Sequence, residues 1–342
     1  MNASRPDRPN PGRRRLLCAW PLLATGLWIR PALADPRVAQ SSRTLMGTRV
    51  DITVQARLAD TAAPAMAAAW AEMARLADLL SRYRAGSQVH ALQLAAGVQP
   101  VKVAPEMLRV LGMANRMSRR SAGAFDITIG AFAGWDFDPA HPAMPDQAEI
   151  ARELPLVNYR DVVVDARAET AYLCRRGMRI DLGGIAKLPV LQAGMDVLRQ
   201  HGLDGAMING GGDVLVSGAL HGRAWRIGVR DPLAPARLAG VIAMHDGVVA
   251  ASGDYERCFM QAGRRYHHIL DPGTGMPSAG PHGVTLVARG VDDINGLGAA
   301  IMVAGEAKGR HWLEALPGID AMIVGPGGRR WLSAGMAARL IS

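Results

Sequence analysis

Residues 266–277 read YHHILDPGTGMP, and the histidine pair is the first place in this sequence where chemistry could sit. His268 could act as a general base, ligate a metal or close a strand. A neutral imidazole near pH 7 suits the first two roles equally well. Four other short runs combine glycines with one or two acids: GAFD at 123–126, DLGGIAK at 181–187, NGGGD at 209–213 and SGDYER at 252–257. Glycine lets a backbone approach a ligand closely and exposes N–H groups to phosphate oxygens. Each run taken alone is equally a tight turn with a capping acid. DLGGIAK has the further form of a glycine pair opening a helix, which aims the positive end of the helix at an anion. Lys187 ends that run, and the chain has 36 arginines but only three lysines. A lysine there offers a compact charge that an arginine does not.

Several familiar chemistries are excluded by pattern. There is no G-x-x-x-x-G-K-[ST], and NGGGDVL lacks the third glycine of a dinucleotide fingerprint. No G-x-S-x-G elbow occurs. Nor does C-x-x-C or H-E-x-x-H, so zinc at ordinary spacing is disfavoured. From the residues alone the reading is an exported α+β protein that binds a phosphorylated ligand, with or without a divalent cation.

The elements that must carry these runs follow from periodicity. Residues 44–54 alternate as a first strand. Met66, Trp70, Met73, Leu76 and Leu80 share one face of a helix over 62–83, a core stripe rather than a cofactor box. Pro105 opens a second helix through Arg119. Residues 178–182 read as a strand, 186–201 as a helix, 205–217 as a strand interrupted by glycines, and 225–230, 247–252 and 283–288 as short strands. A third long helix is expected over 295–315, and GPGG at 325–328 turns a closing hairpin. Strands joined without intervening helices favour α+β over a doubly wound sheet.

Residues 1–34 stand apart: a basic start, the apolar run LLCAWPLLATGLWI and Ala32-Leu33-Ala34 follow the order of a signal peptide. Arg13-Arg14-Arg15-Leu16-Leu17 fits the twin-arginine pattern, which implies export to the periplasm. The remaining residues, 35–342, are expected to form one domain. Without the leader, 33 basic residues face 29 acidic ones, no footprint for nucleic acid. Cys174 and Cys258 remain, able to pair but too few for a disulfide scaffold.

Taken in order, MGT (46–48), SRYRAGS (81–87), GAFDITIG (123–130), DLGGIAK, NGGGD, WRIGVRDP (225–232), SGDYER, YHHILDP and INGLGAA (294–300) resemble the ApbE-type FAD:protein FMN transferases. The GVRDP and INGLGAA wording is similar to exported members tied to respiratory electron-transfer proteins, the NosX type among them. The resemblance implies an α+β fold of two closely joined lobes, mainly antiparallel sheet with packed helices. It implies FAD as substrate with Mg²⁺ on its pyrophosphate, transfer of FMN to a threonine in an Asp/Ser-Gly-Ala/Ser-Thr motif of an acceptor flavoprotein, and release of AMP. His268 matches the family's histidine and would be the base. Met46, Tyr83, Ala124, Phe125, Asp126, Asp181, Lys187 and Ile269 would line the FAD site, and Gly184 and Asn295 would face the metal. Asp271 would orient the histidine ring or cap the next turn, and Asn209 and Asp213 would hold the glycine strand in shape.

The sequence also departs from the family. Asn295 and Ala299 stand where Asp and Thr are usual, with Asp292 and Asp293 just upstream as substitutes. Leu188-Pro189, Gln192, Gln88 and Gln93 depart as well. An FAD-binding carrier without transfer, and an FAD pyrophosphatase, are the alternatives this leaves.

Overall fold

The stretch around Met46-Gly47 folds as a hairpin, not as the single strand expected over 44–54. Val38–Leu45 and Thr48–Gln55 pair antiparallel. Met46 and Gly47 turn the chain with φ of 53° and 72°, the left-handed values a two-residue hairpin needs to match strand twist. The computed structural model describes residues 38–56, 59–203 and 205–341; the expected leader lies outside them. The described residues fall within one compact unit.

The hairpin starts an eight-stranded antiparallel sheet. Its order continues through Gly205–Gly210, Asp213–Ser217, Gly247–Gly253, Gly283–Ala288, Asp320–Val324 and Arg330–Leu332. Successive residues point to opposite faces, and here both faces are covered. Leu215, Val248, Leu286, Ala321 and Ile323 look into the larger core, while Val214, Val216, Val249, Val287, Met322 and Val324 look into a second one. Burial on both sides explains why these strands read as unbroken apolar runs.

The larger core is roofed by helices. Met66, Trp70, Met73, Leu76 and Leu80 of Ala59–Leu79 and its continuation are all buried, as their spacing predicted. Lys187–Gln200 packs beside that helix. The second core is closed by Trp225–Asp231 and Ala234–Met244, whose Trp225, Ile227 and Val229 are buried and alternate with exposed Arg226, Gly228 and Arg230.

Three expectations need correction. Residues 178–182 join no strand ladder: Ile180 N donates to Gln93 Oε1 (3.3 Å) and Asp181 N to Ile127 O (2.7 Å), so loop and side-chain acceptors replace a partner strand. The segment 205–217 is two strands, because Gly211 and Gly212 both take positive φ between them. The long helix of 295–315 is divided into Val291–Ile294, Leu297–Ala304 and Glu306–Glu314. Gly296 and Gly305, at φ 80° and 88°, break it, conformations a side-chain-bearing residue rarely adopts. Cys174 and Cys258 are both free thiols. Among the described residues no helix is long and apolar enough to cross a membrane.

Candidate functional site

The turn Asp181–Lys187 runs into the helix Lys187–Gln200 and is held from both ends. Asp181 Oδ1 accepts from Gly183 N (2.7 Å), and its Oδ2 meets Arg82 Nη1 at 2.5 Å. Lys187 Nζ lies 2.6 Å from Asp213 Oδ2, and Asp213 Oδ1 also accepts from Ala251 N (3.0 Å). Asp213 thus ties the turn to the centre of the main sheet. Lys187 keeps part of its side chain in solvent while Asp213 is nearly covered, at 30% and 8% exposure. The lysine is therefore the member free to turn toward an incoming anion. Asn209 Oδ1 accepts from Gly212 N (3.1 Å), which fixes the adjacent glycine turn.

Phe125 and Asn295 form the floor. Phe125 is buried, and a Cβ added to Gly184 would lie 3.2 Å from its ring. Asn295 is 3% exposed and donates from Nδ2 to Ile185 O at 2.8 Å. Asp126 is buried beside them with both oxygens engaged. Oδ1 accepts from Thr128 N and Thr128 Oγ1 (2.8 and 2.6 Å), and Oδ2 from Tyr159 N (2.8 Å). Burial pushes its carboxyl pKa up, against those hydrogen bonds. Asp126 therefore caps the short helix Ile127–Ala131 and shapes the wall through the backbone. Ala124, only half-buried, precedes it.

The histidine loop lies within electrostatic reach of Asp181. The hairpin Cys258–Gln261 and Arg264–His267 leads into it, and His268 N donates to Arg257 O (3.1 Å). His268 Nδ1 is buried and meets no hydrogen-bond partner. Burial is the main cause that brings this imidazole down to about 4; Arg257 and His267 push the same way, and Asp181 pulls against them. At neutral pH the ring is uncharged, with a lone pair available to take a proton. Asp271 Oδ1 accepts from Gly273 N (2.8 Å), so Asp271 caps the turn; no bond joins it to the imidazole. Ile269 is buried, and its carbonyl accepts from Ser278 N (2.9 Å), closing the loop.

An aromatic cushion supports this loop. Trp135 stacks on Phe137 (5.3 Å), Phe137 on Phe259 (6.1 Å) and Phe259 on Tyr266 (5.4 Å). Trp135 Nε1 donates to Gly275 O at 2.9 Å. Nothing in the sequence singles out Trp135, and the one signal for Arg82 is its place before Tyr83 in SRYRAGS.

Two expected residues lie at the rim. Tyr83 is 78% exposed, and the Arg82 guanidinium lies 5.5 Å from its ring centre. Met46 holds a left-handed backbone for which glycine or asparagine is the usual choice. Next to its turn, Thr48 packs against Gly211. Gln88 and Gln93 serve the framework: Gln88 Oε1 accepts from Ala104 N (2.9 Å), and Gln93 holds Ile180. A groove of about 780 Å³ lies elsewhere, between helices and flanked by Glu72, Arg75 and Glu106. Its Arg75 is already bracketed by the two glutamates.

The metal expectation meets a poor donor set. Asn295 turns the NH₂ end of its amide to the turn, Ala299 has no donor, and Asp293 Oδ2 is engaged with Gly290 N (3.1 Å). Among the described residues no three His, Cys, Asp or Glu side chains gather to hold an ion. Mg²⁺ is usually held by one or two carboxylates beside substrate phosphates, and the amide NH₂ of Asn295 and the methyl of Ala299 do not fit it.

A glycine turn that opens a helix toward a lysine, faced by an uncharged histidine, defines a protein that handles a phosphorylated substrate on an antiparallel α+β frame. Residues 46–323 match the model of the ApbE family, and the chain belongs to that family. It is 33% identical over 279 residues to an FAD:protein FMN transferase of Treponema pallidum, covering 77% of each chain. It is 32% identical over 295 residues to one of Klebsiella pneumoniae, covering 85% of this chain and 90% of that one. The crystal structure of the ApbE protein of Thermotoga maritima superposes with a TM-score of 0.81 at 29% identity, over 89% of this chain and all of that one. The flavin transferase ApbE of Vibrio cholerae gives 0.78 at 26%, over 89% and 99%.

Proposed function

We propose that the chain is an FAD:protein FMN transferase acting on a threonine of an acceptor flavoprotein. The observation that carries the mechanism is His268, uncharged and with Nδ1 buried and unpartnered beside the glycine turn. The acceptor hydroxyl attacks the FMN-side phosphorus of FAD. His268 takes the hydroxyl proton, a new P–O bond joins FMN to the threonine, and the P–O bond to the AMP side breaks, releasing AMP. Arg82 and Lys187 supply the positive charge nearest the turn, and Phe125 backs Gly184 so that the pyrophosphate meets a rigid surface.

The acceptor carries an Asp/Ser-Gly-Ala/Ser-Thr motif, as in an exported respiratory electron-transfer protein, and the reaction takes place in the periplasm after twin-arginine export. The family resemblance and the order of residues 1–34 support this setting. A second reading, a flavin carrier that holds FAD without transfer, is favoured only by Asn295 and Ala299.

The test incubates the protein with FAD and an acceptor domain bearing the motif, in magnesium-containing buffer, and reads intact mass. An acceptor heavier by one FMN, with AMP in solution, is the expected result. An unmodified acceptor beside intact bound FAD, where a Vibrio cholerae-type transferase modifies the same domain, would establish the carrier instead. FMN and AMP without acceptor modification would establish a pyrophosphatase.

A further inference from the structure

The junction between the glycine turn and the broken helix after it is closed by an amide. Asn295 Nδ2 lies 2.8 Å from Ile185 O and 3.6 Å from Met113 Sδ. A carbonyl oxygen can only accept, so the NH₂ end of the amide must face it. Gly296 follows in a left-handed turn and brings the next helix onto Ile185, Met117 and Phe125, where an added Cβ would lie 3.0–3.3 Å from their side chains. One helical turn on, Ala299 packs against the core and offers no ligand.

An aspartate at 295 would behave differently. Its carboxylate would face the Ile185 carbonyl, two electronegative groups without a proton between them, and a cation at that junction would relieve the repulsion. The amide makes the same connection with its own hydrogen and needs no ion. The nearby acids do not restore charge to the junction. Asp293 is engaged at Gly290 N, and Asp292 is exposed.

We infer that this chain holds FAD without a protein-bound divalent cation, the buried Asn295 amide tying the turn to the helix at 297 where an acid would require a metal. The inference rests on the flavin-transferase reading. Charge on the pyrophosphate then falls to Lys187 and Arg82, which in the free protein are kept in place by Asp213 and Asp181.

The experiment measures FAD binding by flavin fluorescence on the full chain, in EDTA and in millimolar Mg²⁺, and in parallel on Asn295→Asp and Asn295→Asp/Ala299→Thr. The unsubstituted chain should give the same Kd within about twofold in both buffers, whereas Asn295→Asp should lose about tenfold in EDTA and recover with Mg²⁺. Thermal melting gives a second readout: Mg²⁺ should raise the Tm of the acid variants and leave the unsubstituted chain unmoved. A tenfold loss of FAD affinity in EDTA by the unsubstituted chain, or calorimetric binding of one Mg²⁺ to its FAD complex, would overturn the inference while leaving the flavin reading intact. Failure to bind FAD in either buffer would instead remove the flavin reading, and the inference with it.

Discussion

The two walls of the site are built on opposite rules. On the turn side every charged group of Asp181, Lys187 and Asp213 has a partner between 2.5 and 3.0 Å. On the histidine side the decisive atom, His268 Nδ1, has none. Leu182, Ile185 and Ala186 of the turn sit in the larger core with Phe125, whereas the histidine loop sends Ile269 to that core and Leu270 into a smaller, aromatic-rich cluster. That cluster takes three of the chain's four phenylalanines, Phe132, Phe137 and Phe259. A paired wall keeps its shape before substrate arrives. A buried unpaired nitrogen is costly to leave unmade, and it persists where a substrate supplies the partner.

The largest effect should come from removing the unpaired atom. His268→Ala is expected to lower FMN transfer by about 10²–10⁴-fold, the usual contribution of a general base, while FAD affinity stays near its original value. Single-turnover acceptor labelling beside fluorescence titration of FAD separates the two. Retained transfer would mean that His268 is a framework residue and that the contrast between the walls is accidental. The pH dependence sharpens the same point. Because the imidazole is held down at about 4 by burial, with Arg257 and His267 adding to it, the rate should stay level from neutral pH down to about 6 and fall toward a midpoint near 4. Stability should move with it. Between about 4 and the ordinary value of 6.5 the unfolded chain binds the extra proton and the folded one does not, so folding weakens as pH falls through that window. A transfer midpoint near 6.5 would place His268 in solvent, contrary to its burial.

Which parts of this were legible beforehand follows from where the signals lie. The helix 62–83 and the strand 225–230 could be read because each buries residues at one clear period, and 247–252 and 283–288 because each is a short, largely apolar run. The segment 178–182 could not. Its pattern is that of a strand, but its hydrogen bonds go to Gln93 and Ile127, which no local pattern reveals. The helix breaks at 296 and 305 are the same kind of miss: glycine inside a helical pattern is tolerated, and the packing of Gly296 on Ile185 and Phe125 shows only in the folded chain. At the site, Lys187 and His268 stood out by residue type and company. Asp126 stood out equally, yet its oxygens turn inward to Thr128 and Tyr159. An acid that caps and an acid that binds look alike in one dimension.

On the paired wall the expected effect is smaller and falls on stability as well as binding. Lys187→Met leaves Asp213 nearly buried without its cation. Breaking a buried pair costs about 3–5 kcal/mol, and the partial exposure of Lys187 brings the expectation here to about 2 kcal/mol. Chemical denaturation should show that loss, and FAD affinity should fall too. Lys187→Met/Asp213→Asn should recover most of the stability and none of the affinity. If the double variant also recovers affinity, Lys187 serves the fold alone, and charge for the pyrophosphate must come from Arg82.

The smallest change tests how the unpaired wall is kept in place. Trp135→Phe keeps an aromatic ring beside Phe137, where the indole now stacks at an interplanar angle of 8°, and removes the donor to Gly275 O together with the pyrrole part of the indole. A single neutral hydrogen bond contributes about 1 kcal/mol and the lost ring atoms add a packing cost, so the expected loss of stability is about 1–2 kcal/mol. The more informative readout is kinetic. Gly275 lies in the loop that follows His268, and Asp271 and Ile269 fix its two ends through Gly273 N and Ser278 N. Loosening the middle of that loop should lower kcat several-fold with KM for FAD unchanged, because the base is misplaced while the turn that receives the pyrophosphate is untouched. The pH midpoint should remain near 4, since no charge has moved. A shift of the midpoint toward 6.5 would show that the indole of Trp135, rather than the rest of the aromatic cluster, keeps water from His268. The difference between the two walls would then rest on one side chain.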